Sequence, residues 1–145
     1  MNDITLVMEL FAFLSMLGIQ TPTELPKINI ISTKEMILMT NDKQGFNEEN
    51  LGQIITGMCV NGVIYIDSKV DMSTVMGKSV LIHELTHYTQ NKCAAVPKKN
   101  IMKIATLEAQ AYAAQNRWLR ANNMTIEVNN PYGVTIYLPA VYNWK

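Results

Sequence analysis

Both histidines of the chain and one glutamate lie in the segment "SVLIHELTHYTQ", residues 79–90. His83 and His87 are four positions apart, and Glu84 directly follows the first of them. In an α-helix, side chains four positions apart project from nearly the same face, one turn apart. Two neutral imidazoles placed in this way can bind one zinc ion at about 2.0–2.1 Å. Glu84 is displaced round the helix, where its carboxylate can take a proton from a water on the open side of such an ion. The spacing therefore predicts a metal site with its own general base.

A third ligand is needed, because two histidines do not complete a zinc site and the HExxH pattern also occurs by chance. The later helical segment "NIMKIATLEAQAYAAQNRWLRAN" supplies Glu108 on its apolar face. That face is predicted to carry Ile101, Ile104, Ala105, Glu108, Ala111, Tyr112, Gln115, Trp118 and Leu119. A carboxylate there must be protonated, paired or metal-bound, because an isolated buried charge is too costly. Glu108 is thus a metal ligand, a partner of a lysine or arginine, or a partly exposed residue at the edge of the face.

Elements before the motif are predicted from periodicity and turn signals. "ITLVMELFAFLSMLG" has apolar residues at helical spacing, which predicts a buried N-terminal core helix. It lacks a basic start and is shorter than the roughly 20 residues that cross a bilayer, so a signal peptide or membrane anchor is the less favoured alternative. "KINIIS" predicts a strand, and the capping-box spacing of Ser32 and Glu35 predicts a short helix over "TKEMILMT". "NDKQGFNEEN", residues 41–50, is predicted to be a polar loop.

A hairpin and two long helices are predicted to position the site. Asn61-Gly62 separates two runs rich in β-branched residues, which predicts a β-hairpin with a type I′ turn. Asp71 or Ser73 is the predicted cap of the histidine-bearing helix, which runs to about Asn91.

The second half continues with a connection and a further helix. Residues 92–99 are predicted to be the connection, and the second long helix covers roughly residues 99–121. The remainder, "MTIEVNNPYGVTIYLPAVYNWK", has two β-rich runs and is predicted to add strands or an extended tail.

Composition bounds the class of protein. The chain has 145 residues, of which 48% are hydrophobic and 17% charged, so we expect one compact domain over residues 1–145. Twelve basic and twelve acidic side chains give a formal net charge of zero, which provides no electrostatic footprint for nucleic acid or an anionic membrane. The two cysteines, Cys59 and Cys93, are too few to fix the redox compartment, and both a disulfide and free thiols are open.

His83-Glu84-x-x-His87 followed by Glu108 resembles the gluzincin type of zinc metallopeptidase. The second histidine and the glutamate are 21 positions apart, near the interval of thermolysin-like enzymes. "HELTHYTQ" followed by "LEAQAYAAQNRWL" is similar to small zincin peptidases of bacteria and phages, and to minimal metallopeptidases that act on phage repressors. The resemblance covers roughly residues 60–120. It implies a minimal zincin-like α+β fold, in which a small sheet with a β-hairpin packs on the HExxH helix and a glutamate-bearing helix, beside the N-terminal core helix.

The resemblance also implies a function. One Zn²⁺ per chain would be bound by His83, His87 and Glu108, with Glu84 as general base for hydrolysis of a peptide or protein substrate. In such folds a strand before the HExxH helix often edges the sheet and binds extended substrate by strand addition. "VIYID", residues 63–67, or its partner "QIITGMC" is the candidate strand.

Two departures concern the residues around the ligands. Thermolysin-like enzymes have Asn before the glutamate ligand and Asp four residues after it, where this chain has Leu107 and Tyr112. The carboxylate that would orient a histidine is therefore missing, and a carbonyl, Tyr112 or Gln115 is expected to replace it. Because there is no third histidine, a tyrosine is expected to stabilise the oxyanion. The candidates, which the sequence does not rank, are Tyr132, Tyr137 and Tyr142.

Two other functions are compatible with the sequence. A zincin-like module can bind zinc for assembly without catalysis, although such a site has no need of Glu84. A metal-free helical interaction domain can use the ten methionines as an adaptable surface. We expect no nucleic-acid or membrane partner and favour a cytoplasmic location, with a processed N-terminal segment or a phage-associated setting as alternatives. Substrate specificity and oligomeric state do not follow from the sequence.

Overall fold

The chain folds as alternating helices and short strands in a computed structural model that describes residues 4–44, 55–132 and 138. These residues form an α+β fold, as predicted. In chain order the elements are α1 (Ile4–Met16), β1 (Lys27–Ile31), α2 (Thr33–Gln44), β2 (Gly57–Val60), β3 (Val63–Asp67), α3 (Val75–Asn91) and α4 (Ile101–Ala121).

The three described strands form one sheet in the order β1-β3-β2. β2 and β3 are antiparallel and joined at Asn61 and Gly62, whose φ angles of 49° and 82° are the positive values that a type I′ turn requires. The predicted hairpin is therefore confirmed. β1 pairs with the other side of β3 in parallel. "VIYID" is thus the central strand. The prediction that it is a substrate-binding edge strand is wrong, because β1 pairs with the edge of β3 that β2 leaves open.

α1 is the core helix that its periodicity predicted. Its buried side chains are Leu6, Val7, Leu10, Phe11, Phe13 and Leu14. Phe13 meets Trp118 of α4 edge-on at 5.1 Å between ring centroids, and Phe11 stacks on Tyr88 of α3 at 6.4 Å. α1 therefore packs on both helices that carry the site. Among the described residues, no helix combines the length and apolar character that a membrane span requires.

The N-cap of α3 is neither of the two predicted residues, because it lies one residue after Ser73 and three after Asp71. Thr74 is the N-cap, and its hydroxyl accepts a hydrogen bond from the Gly77 N–H at 2.9 Å. Asp71 and Ser73 instead form the preceding turn, in which the Ser73 N–H donates to Asp71 Oδ1 at 2.9 Å. A Cβ at Gly77 would collide with the Asp71 carbonyl oxygen, so glycine permits this tight entry. α3 ends at Asn91, as predicted, where Lys92 adopts a left-handed φ of 52°.

α4 starts at Ile101 after an Asn100 cap, and Ile101 itself is exposed, so the predicted apolar face excludes it. Ala105, Ala109, Ala111 and Ala114 are buried. Small side chains at these positions let α3 approach closely, which brings the two helices together as a pair.

Two predicted loops or strands differ in the structure. Residues 41–44 continue α2 and are not part of the predicted polar loop, and residues 45–50 of that prediction lie outside the described residues. The β-rich run at 124–130 forms no strand, which leaves the predicted alternative of an extended tail for these residues. Asn116 of α4 bonds to this segment at Val128: Asn116 Nδ2 donates to the Val128 carbonyl at 2.9 Å and the Val128 N–H donates to Asn116 Oδ1 at 2.7 Å. The second predicted run lies outside the described residues, apart from residue 138. The helix predicted from the spacing of Ser32 and Glu35 is confirmed: Ser32 Oγ accepts a hydrogen bond from the Glu35 N–H and donates one to Glu35 Oε1, each at 3.1 Å.

Cys59 and Cys93 form a disulfide with a Cα–Cα distance of 5.3 Å. The sequence left this pairing open. The bond joins β2 to the chain just after α3, and the Asn61 N–H adds a hydrogen bond of 3.2 Å to the Cys93 carbonyl. The hairpin is therefore attached to the end of the histidine-bearing helix.

Candidate metal centre

The three side chains predicted as metal ligands lie together between α3 and α4. His83 Nε2 is 3.1 Å from Glu108 Oε1, and His87 Nε2 is 2.8 Å from Glu108 Oε2. All three ligand atoms lie within 4.8 Å of one another. One helical turn sets the spacing of the histidines, and the alanines of α4 bring Glu108 up to them. Among the described residues, the ion-pair partners of Glu108 are therefore the two histidines and not a lysine or arginine.

The geometry and chemistry of this donor set fit a zinc ion. Donors at about 2.0–2.1 Å from a tetrahedral ion are roughly 3.3 Å apart. The observed separations of 3.1 and 2.8 Å between histidine and carboxylate atoms are close to that value. Two imidazole nitrogens and one carboxylate oxygen are also the ligands of a catalytic zinc site that keeps a fourth position open. Metal binding itself stays a prediction.

Opposite charges balance in the metal-free cluster. Burial opposes ionisation of Glu108, but hydrogen bonds from His83 and His87 outweigh it and hold the pKa of the Glu108 carboxyl well below its usual range. Burial also opposes a charge on His87, yet the hydrogen bond and negative charge of Glu108 raise the pKa of His87 to about 9. Without metal at neutral pH, a protonated His87 therefore pairs with an ionised Glu108.

Glu84 lies beside this cluster in a different environment. It is only 7% exposed, and burial raises the pKa of its carboxyl, with the positive charges of His83 and His87 acting in the opposite direction. Its side chain also touches β2: a Cβ at Gly57 would lie 3.1 Å from Glu84 Cγ and 3.2 Å from Glu84 Oε2. Glycine at this position thus lets the strand pass directly against the carboxylate.

The main chain of β2 faces outwards next to Glu84. The Asp67 N–H donates to the Thr56 carbonyl at 2.9 Å, so this pair is hydrogen-bonded across the hairpin. Hydrogen-bonded and non-bonded pairs alternate along antiparallel strands, so the N–H and C=O groups of Gly57 and Cys59 point away from β3. β2 therefore presents two backbone positions at the edge of the described sheet, beginning at the residue that contacts Glu84.

Gln115 contacts the outer nitrogen of His83. Its Oε1 is 3.0 Å from His83 Nδ1, and it lies on α4 with the Glu108 ligand. This places Gln115 where the sequence expected a substitute for the missing carboxylate. Tyr112, the other side chain considered for that position, packs its ring edge-on against His83 at 4.5 Å. Both ring nitrogens of His83 have other partners, so of the alternatives named from the sequence it is Gln115, and not Tyr112, that hydrogen-bonds to this histidine.

Gln90 is a site residue that the sequence reading missed. Its Oε1 is 2.8 Å from His87 Nδ1. Its Nε2 donates to the Leu107 carbonyl at 2.8 Å and to Gln110 Oε1 at 2.9 Å, which joins α3 to α4. A signal was available, because Gln90 follows His87 by three residues and so shares its helix face.

Of the three tyrosines considered for the oxyanion, the structure describes Tyr132. This residue is 47% exposed, and both burial and the negative charge of Glu108 raise the pKa of Tyr132. Two hydrogen bonds between Asn116 and Val128 attach the segment that precedes Tyr132 to α4. Tyr137 and Tyr142 lie outside the described residues.

No curated protein and no solved structure matches the chain. A family model matches residues 2–140, which is nearly the whole sequence. The chain therefore belongs to the family described as "Domain of unknown function (DUF6647)".

Proposed function

We propose that the chain is a zinc-dependent metallopeptidase with one zinc ion bound by His83, His87 and Glu108. The observation that carries the proposal is the meeting of these three side chains from two helices, with the Glu84 carboxylate beside them. Few structural roles require a second buried carboxylate at such a cluster, since burying it is costly. A general base does require that position.

The catalytic role of Glu84 follows from its surroundings. A bound zinc ion supplies Lewis acidity, which makes a water more acidic and polarises a carbonyl. Glu84 accepts the proton of the attacking water and delivers it to the leaving amine. A carboxyl with a raised pKa performs both steps better than an ordinary one, because it holds the proton long enough to pass it on.

An extended peptide is the substrate that β2 suits. The outward N–H and C=O groups of Gly57 and Cys59 can pair with a peptide strand, as in other proteins that bind peptides by strand addition. A carbonyl held opposite Gly57 would then lie next to Glu84. These groups favour the second strand named from the sequence, "QIITGMC", of which residues 55–59 are described, over residues 63–67.

One observation favours the alternative of a non-catalytic zinc-binding module. His83 and Glu84 are 8% and 7% exposed, so a water or substrate must enter a confined site. In that alternative Glu84 would serve only to balance the charge of the bound ion.

Replacement of Glu84 by glutamine separates these functions. Glu84→Gln keeps the shape of the side chain but removes the base, so we expect a loss of hydrolysis of at least about 10³-fold and zinc content equal to that of the parent. Cleavage of a mixed peptide library is measured beside metal analysis of protein purified without chelator. Glu127→Gln is the matched control, because Glu127 pairs with Arg120 at the surface.

The outcomes distinguish all three functions. Equal cleavage by the parent and Glu84→Gln proteins would reject Glu84 as the base. A parent protein with one zinc per chain that cleaves no peptide would support the binding module. Less than about one-tenth of an equivalent of zinc would support the metal-free interaction domain.

A further inference from the structure

In the candidate metal centre, the Nδ1 atom of each histidine lies within hydrogen-bond distance of a glutamine side-chain amide. His83 Nδ1 lies 3.0 Å from Gln115 Oε1, and His87 Nδ1 lies 2.8 Å from Gln90 Oε1. An amide oxygen only accepts hydrogen bonds, so each imidazole must carry its proton on Nδ1. Nε2 of each ring faces Glu108. Once Nε2 gives up its proton, as metal binding requires, its lone pair is the one that a metal ion at Glu108 can take.

Other hydrogen bonds fix the orientation of Gln115. Its Nε2 donates to Ser79 Oγ at 3.2 Å, and the Ser79 hydroxyl in turn donates to the Met76 carbonyl at 2.6 Å. Because the serine proton is used in that second bond, Ser79 Oγ acts as an acceptor towards Gln115. The amide oxygen therefore has to face His83.

Gln90 is oriented by the backbone of the opposite helix. Its Nε2 donates to the Leu107 carbonyl and to Gln110 Oε1, which leaves its oxygen to His87. Leu107 directly precedes Glu108 in the chain. Gln90 thus connects the ring of one ligand to the main chain beside another.

We propose that Gln90 and Gln115 are positioning residues that preset both imidazoles for metal binding through Nε2 without adding negative charge. The proposal rests on the proposed zinc site and deepens it. Groups that orient metal-binding histidines are worth about 10–100-fold in metal affinity. An amide fixes the tautomer as a carboxylate would, but Glu108 then remains the single anionic ligand of the set.

Apolar replacements of similar size test the role. Gln115→Leu and Gln90→Leu each remove the acceptor behind one histidine, and we expect the zinc dissociation constant to rise about 10–100-fold in each. Affinity is measured by competition with a chromophoric chelator, so the readout is independent of hydrolysis. Gln115→Glu and Gln90→Glu keep an acceptor at the same place and are expected to bind zinc at least as tightly as the parent.

Matched controls come from the same helix. Asn116→Ala removes two hydrogen bonds next to Gln115 without touching a histidine. Gln110→Ala removes a partner of Gln90 but leaves the bond from Gln90 to Leu107. Both controls are expected to keep zinc affinity within about twofold of the parent, since neither releases an imidazole.

The outcomes separate this proposal from the proposed function. Zinc binding within about twofold of the parent in both leucine variants would overturn the positioning role while the zinc site stands. A parent protein that binds no zinc would overturn both. If a leucine variant does not fold, Ser79→Ala decides, because it frees Gln115 to rotate: a fall in zinc affinity supports the role, and unchanged affinity overturns it.

Discussion

Two glutamates within one site have opposite electrostatic environments. Glu108 contacts both imidazoles, and those contacts lower its pKa, whereas burial raises the pKa of Glu84. A carboxylate that stays ionised suits a metal ligand, and one that can be protonated suits a proton carrier. The difference between the two environments thus matches the two roles assigned to these residues.

At the residue scale, Tyr132 can be tested as an oxyanion donor, since it is the one of the three candidate tyrosines that the structure describes. Tyr132→Phe removes only the hydroxyl, so we expect kcat to fall by about 10²-fold with little change in KM, because the interaction strengthens in the transition state. Steady-state kinetics on a cleaved peptide measures the effect. Tyr88→Phe is the control, since Tyr88 packs on Phe11 in the core. Equal kcat in the Tyr132→Phe and parent proteins would remove Tyr132 from the mechanism.

The sequence predicted the positions of residues whose relation is local. His83, Glu84 and His87 lie on one helix, and the single apolar face of α4 sufficed to turn Glu108 and Gln115 towards them. Tyr112 shares that face but makes a T-shaped ring contact with His83, and no residue pattern distinguishes a ring contact from a hydrogen bond. Gln90 was missed because its importance depends on the Leu107 carbonyl of another helix.

At the scale of elements, the disulfide fixes the hairpin to the site. Cys59 lies on β2 two residues after Gly57, and Cys93 follows α3. Gly57 contacts Glu84 at the other end of the same strand. The strand is therefore attached at one end by a covalent bond and seated at the other against the proposed general base.

Removal of this bond is expected to lower stability. Cys59 and Cys93 are 34 residues apart, and a disulfide across such a loop stabilises the fold by about 2–4 kcal/mol. We expect the Cys59→Ser, Cys93→Ser double variant to lose about that free energy of unfolding in urea. Peptide KM is expected to rise, because β2 would be less well held for strand addition. The parent protein in excess dithiol is the control and should match the variant; an unchanged urea midpoint in both would contradict the prediction.

Elements with strong local signals were predictable, and long-range pairing was not. Asn61-Gly62 predicted the hairpin because that dipeptide tolerates positive φ angles. The central position of β3 depends on β1, a strand distant in the chain, so the choice between two candidate edges needed the structure. In the β-rich run of residues 124–130, Val128 hydrogen-bonds to the Asn116 side chain of α4 and not to a strand, and β-propensity does not predict such a partner.

At the scale of the whole molecule, part of the contact between α3 and α4 consists of the polar side chains of the site and not of apolar side chains. His83 and Glu84 are buried on α3, and Glu108 faces them from α4. Because a buried charge needs a partner, the metal-free protein depends on the pairing of His87 with Glu108 in this region. Metal binding replaces the His87 proton with a divalent cation, so metal and proton compete for the same position.

This competition predicts how stability changes with pH. The pKa of His87 is about 9 in the folded protein, whereas a histidine of the unfolded chain has its ordinary pKa of 6.5. Its contribution is therefore fully present below about pH 6.5 and is lost as the pH rises through about 9. Glu108 has a lowered pKa, so its contribution is present above its unfolded value of 4.5 and is lost as the pH falls further. Glu84 has a raised pKa and favours folding at low pH, so the Glu84→Gln background isolates the pair.

We expect the metal-free protein in that background to lose free energy of unfolding between pH 6.5 and 9, by a few kcal/mol at most. Zinc needs neutral His87, so its stabilisation should increase over the same interval; at 100 times the dissociation constant it adds about 2.7 kcal/mol. Urea unfolding in zinc and in chelator, at steps from pH 6 to 9, measures both curves. His87→Gln is the control and should flatten the chelator curve and abolish the zinc effect. If the free energy of unfolding in chelator stays constant from pH 6.5 to 9, the ion pair between protonated His87 and Glu108 does not stabilise the contact between α3 and α4.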